Sequence, residues 1–118
     1  MDILFLLRPN FTDYLRDQAG KLYYCPDCAL IEGVLSYYPH LRQQIDIRYI
    51  DFPHPRKEIV DLVGDSHQGC PNLILDTAHH DTVDASLYLQ YGGRLYTTDP
   101  KLVLSYFSDS FGIPIAHF

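Results

Sequence analysis

The chain has 118 residues, with 15 acidic against 9 basic side chains and a net charge of −6 when its histidines are neutral. Residues 1–118 read as one domain of ordinary size, without linker, repeat or low-complexity tract. The 47% of apolar residues excludes a disordered chain. The acidic balance and scattered basic residues exclude a general affinity for nucleic acid or for anionic membrane surfaces. No stretch approaches transmembrane length and no basic segment opens a signal peptide, so the expected location is the cytoplasm, where thiols stay reduced. Three cysteines, an odd count, argue against a closed disulfide scaffold and toward redox or metal chemistry.

In chain order, Asp2 to Leu7 is nearly continuous apolar sequence, as in a strand covered on both faces. A long mixed stretch follows, in which Thr12 to Gln18 reads as a short helix capped by Thr12 and stopped by Gly20. The next helix starts near Pro26, whose missing N–H costs nothing in a first turn. Leu30, Ile31, Val34, Leu35 and Tyr38 recur at helical spacing, and Pro39 ends the run. Ile45, Ile47 and Tyr49 alternate with Asp46 and Arg48 as a second strand. Arg56 to Val63 reads as a short helix stopped at Gly64. Asn72 to Leu75 is a third strand.

Residues 77–91 read as a polar insertion with a helical turn at Ala85 to Leu89, a lid or partner-binding surface. Gly92-Gly93 then signals a hairpin turn into a fourth strand, Arg94 to Thr97. Asp99 caps a last helix with Pro100 at its first position, and Gly112 closes it. The order strand, helix, strand, helix, strand, strand, helix predicts an α/β fold. Its sheet is mixed and four-stranded (β-α-β-α-β-β-α), with helices on both faces.

Cys25-Pro26-Asp27-Cys28 opens the first long helix. The unpaired N–H groups and the positive end of the dipole at such a position favour thiolate over thiol. Cys28 lies one turn further in, placed to attack a mixed disulfide formed on Cys25. A C-x-x-C pair alone is a weak signal; after a strand and at a helix start it is a strong one.

On these residues the chain resembles the thioredoxin-like superfamily in its minimal, glutaredoxin-like form. More narrowly, it is similar to a bacterial family of short thioredoxin-like proteins of unassigned function. The resemblance implies a thiol–disulfide oxidoreductase with catalytic Cys25 and Cys28 and a cis-proline at Cys70-Pro71 before the third strand. It also implies a substrate groove formed by Pro71, Cys70, Tyr24 and Pro26. The partner would be a protein or small-molecule thiol or disulfide, with no cofactor. Two departures argue against glutathione: Gly69-Cys70 replaces the Thr-Val that precedes the family's cis-proline, and Thr97-Thr98-Asp99 replaces its Gly-Gly-x-Asp turn.

The same fold would bring Cys70 near Cys25. Zinc accepts three cysteines and a histidine, so Cys25, Cys28, Cys70 and His67 form an alternative metal set, for zinc or an iron–sulfur cluster. Cys70 also fits as a small buried hydrophobe or as a second resolving thiol. A binding module that keeps the fold without redox turnover is a further alternative. The paired His79-His80 reads more simply as a polar loop than as a ligand cluster.

Overall fold

Asp2–Leu7 forms strand β1, and Leu4, Phe5 and Leu6 are at most 1% exposed. Successive side chains of a strand point to opposite faces, so the sheet is covered on both sides, as its unbroken apolar run requires. In the computed structural model, which describes residues 1–118, the chain continues through helix α1 (Pro26–Tyr37), the single-turn helix α2 (Leu41–Gln44) and strand β2 (Ile45–Ile50). Helix α3 (Lys57–Val63), strands β3 (Asn72–Ile74), β4 (Leu89–Tyr91) and β5 (Arg94–Thr97), and helix α4 (Pro100–Phe111) complete it.

The sheet order is β2-β1-β3-β5-β4. β1 and β2 are parallel, with Leu6 opposite Tyr49, and every other pair is antiparallel. The fold is therefore α/β with a mixed sheet, but of five strands rather than four. The additional strand, β4, lies within 77–91, which was expected to be a polar insertion with a helical turn to Leu89. The turn is a short 3-10 segment, Ala85–Leu87. Leu89–Tyr91 instead pairs with β5 across Gly92-Gly93, whose φ values of 55° and 78° suit a tight hairpin.

The expected helix at Thr12 to Gln18 is also absent. Only a single turn forms there, with the Arg16 and Asp17 amides on the Asp13 carbonyl. Tyr14 and Leu15 are 61% and 103% exposed, so no apolar face packs down to offset the cost of helix nucleation. The segment is tied off by backbone bonds between Phe11 and Tyr23.

Pro26 occupies the first turn of α1, which packs against α4 and buries Cys28, Ile31 and Leu35. Gly33 lies in the middle of this helix, and a Cβ added there would meet nothing within 4 Å. Glycine at such a position costs about 0.5–1 kcal/mol relative to alanine. Gly33→Ala is expected to raise stability by about that amount, read as a higher midpoint in urea denaturation.

The N-terminal end of β1 is held by a buried polar cluster. Asp2 is fully buried; its Oδ1 accepts from the Asp76 amide at 2.7 Å and faces His79 Nδ1 at 2.9 Å. Its Oδ2 accepts from the Tyr106 hydroxyl of α4 at 2.5 Å. The Tyr106 hydroxyl is pushed well above its ordinary range by burial first and by the Asp2 carboxylate second.

Candidate functional site

At the other end of β1 the chain leaves Leu7 and returns at Cys25, the N-cap of α1. Cys25 Sγ accepts the Cys28 amide at 3.2 Å, so the sulfur fills the capping role usually taken by a serine or aspartate oxygen. The same thiol lies 3.6 Å from the Cys70 carbonyl oxygen, to which it donates. Asp27 places an acid in the first turn. Cys25 is half-buried and Cys28 is 5% exposed; all three cysteines are free thiols.

Burial pushes the Cys28 thiol far above its ordinary range, and a hydrogen bond from the Leu7 backbone only partly opposes this. The two sulfurs of the pair therefore differ. Cys25 caps the helix at a half-exposed position, whereas Cys28 is sunk in the core.

The peptide bond Cys70–Pro71 is cis, Pro71 is buried, and Cys70 is partly exposed beside the Cys25 thiol. Of the other expected groove residues, Tyr24 is 64% exposed and lines the same depression as Cys25 and Cys28, and Pro26 is exposed at the helix start. His67 is directed elsewhere: its Nδ1 pairs with the Tyr96 hydroxyl of β5 at 3.1 Å. No group of three or more His, Cys, Asp or Glu side chains is arranged to hold a metal ion. His67 is thus paired away from the three thiols. His79 belongs to the Asp2 cluster, remote in the fold from the thiols.

One residue of this site had no sequence signal. Arg56, 7% exposed, donates from Nε and an Nη to the Phe52 carbonyl (3.0 and 2.8 Å) and from its other Nη to the Gln68 carbonyl (2.8 Å). Its own amide donates to the Gln68 side chain at 2.8 Å. The guanidinium lies 5.4 Å from the centre of the Phe52 ring, which itself stacks on Phe11. Arg56 so ties the loop after β2 to the loop carrying Cys70 and Pro71. It makes no ion pair with a carboxylate, and its charge faces Cys70 instead. The partner at Gln68 is tertiary and leaves no local pattern in the sequence.

Burial pushes the Cys70 thiol up to about 12, against the pull of Arg56 in the other direction. A thiol held neutral in the fold gives up its proton more readily once unfolded, where its value is near 9.0. Its contribution to stability is complete below about pH 9 and is lost as pH rises toward 12. Urea midpoints are expected to fall across that window, and Cys70→Ala to make the fall shallower. Cys28, raised in the same direction, accounts for part of the slope that remains.

No helix is long and apolar enough to cross a membrane. A family model described as "Protein of unknown function (DUF3088)" matches residues 1–115. No curated protein and no solved structure matches the chain.

Proposed function

The chain belongs to that family of unknown function, and from this premise we propose that it is a thiol–disulfide oxidoreductase on a thioredoxin-like fold. The observation that carries the reading is the Cys25 sulfur serving as the N-cap of α1, with Cys28 one turn behind it. The capping sulfur is also the partly exposed one of the pair and opens into the depression beside α1, where a substrate disulfide can reach it.

The Cys25 thiolate attacks one sulfur of a substrate disulfide. A new S–S bond forms, the substrate S–S bond breaks, and the departing half leaves as a thiolate that takes up a proton. Cys28 then loses its proton and attacks the Cys25 sulfur. The second half leaves as a thiol, and the pair ends as a Cys25–Cys28 disulfide. The substrate is reduced by two electrons and the pair is oxidised; an external dithiol returns the pair to its starting state.

Reduction of insulin disulfides in the presence of dithiothreitol tests this reading. The wild-type chain is expected to exceed the reductant alone, and Cys25→Ser to fall back to it. A wild-type rate no higher than that of the reductant alone overturns the proposal.

A further inference from the structure

The face of α1 next to the strands carries Ala29, Gly33 and Ser36 at successive turns, and a trough of about 490 Å³ lies over them. That volume is within the roughly 300–1,000 Å³ of small-molecule sites. Leu6 and Leu7 of β1 contribute apolar wall, Cys25 and Cys28 open into the trough, and Glu32 and Tyr49 line it one turn further along the helix. Gly33 is the informative residue. Its backbone needs no special conformation and nothing crowds it, so a side chain there would enter free space. Local structure gives no reason for a glycine in this helix; an occupant of the trough gives one.

Charge indicates the occupant. Glu32 is the only charged residue on the wall, Asp27 stands beside Cys25, and the chain carries a net −6. The Tyr49 hydroxyl shares its one proton between the two Glu32 oxygens, at 2.9 and 2.8 Å, while Arg42 donates to that hydroxyl at 3.2 Å and forms an ion pair with Glu32 through Oε1 alone. Oε2 therefore keeps acceptor capacity; Arg42 engages Glu32 through Oε1 and does not line the trough, so the polar group a ligand meets there is the Oε2 acceptor, which suits a donor such as an ammonium.

We propose that this trough is a binding site for a low-molecular-weight thiol or disulfide with an apolar body and an ammonium head that pairs with Glu32. This rests on the reading of Cys25 as the exchanging thiol. The apolar body lies over Gly33 and one sulfur of the ligand meets Cys25; a disulfide is reduced by the two displacements given above, and a thiol runs them in reverse, its thiolate attacking the Cys25–Cys28 disulfide and two such thiols ending as a disulfide while the pair is reduced.

The experiment uses S-benzylcysteamine, a thioether with an aromatic body and an ammonium head, and S-benzylthioglycolate, the same body ending in a carboxylate. Neither can exchange, so calorimetric titration reads the trough alone. The amine is expected to bind the wild-type chain more tightly than the acid. Gly33→Leu, which fills the space, should weaken the amine by about tenfold or more, and Glu32→Gln should narrow the preference for the amine over the acid. Ser36→Leu, exposed on the same wall, provides a second blocking variant, with thermal unfolding checked for both. Absence of amine binding, equal binding of amine and acid, or unchanged binding in both blocked variants overturns the inference. Disulfide reduction by a chain that binds neither probe defeats the trough and leaves the oxidoreductase reading. Probe binding without any reduction does the reverse.

Discussion

Cys25→Ser is expected to lower the rate of disulfide reduction by at least about a hundredfold, to the level of the added reductant. The serine oxygen can still accept the Cys28 amide, so the cap on α1 survives and the folded chain is a fair control. What is lost is the only cysteine that combines the helix-capping position with partial exposure. Cys28→Ser has a different signature: the first displacement proceeds and the second stops, so the substrate half stays attached. Because burial holds the Cys28 thiol high, the second displacement in the wild-type chain is expected to quicken by about tenfold per pH unit through the neutral and mildly alkaline range. Single-turnover release of the second substrate half, followed against pH, measures this.

Asp2→Ala is expected to have the largest effect on stability, about 3–5 kcal/mol, by the logic that removing one member of a buried network strands the others. The Asp76 amide, His79 Nδ1 and the Tyr106 hydroxyl all meet this one carboxylate. Deleting it leaves the Asp76 amide without its acceptor, leaves the Tyr106 hydroxyl only His79 Nδ1, 3.1 Å away, and opens space at the start of the central strand. For a chain of this length the loss corresponds to a fall in melting temperature of at least about 10 °C. Tyr106→Phe removes one bond and keeps the ring, so its cost should be smaller, about 1–3 kcal/mol. Thermal unfolding followed by circular dichroism distinguishes the two; near-equal effects would mean that the Asp2–Tyr106 bond alone carries the cluster.

What could be read from the sequence was local. Pro26 and Pro39 bracket α1, Asp99 and Gly112 bracket α4, and the apolar run of β1 announces a strand buried on both faces. These are chain-level signals whose physical cause lies within a few residues. β4 escaped because it is three residues long and no residue in it is fully buried; its pairing depends on β5 across the turn, not on its own pattern. The turn at Tyr14 shows the opposite failure, a helical start with no face to bury.

The site divides in the same way. Cys25 and Cys28 are legible because motif and helix start coincide. Arg56 was not, since its carbonyl partner at Gln68 is twelve residues away, nor was the Asp2 cluster, whose members reach as far as 104 residues apart. Gly33 was not singled out in the sequence, because one glycine inside a helical run leaves the apolar spacing of α1 intact. Its place on the wall of the depression emerges only in the fold.

The most direct test of the account is mass spectrometry of the Cys28→Ser chain after exposure to a small disulfide such as cystamine. The expected product is one mixed disulfide per chain, located on Cys25. A chain that remains unmodified, or one modified on Cys70 in preference to Cys25, would contradict the assignment of Cys25 as the attacking thiol.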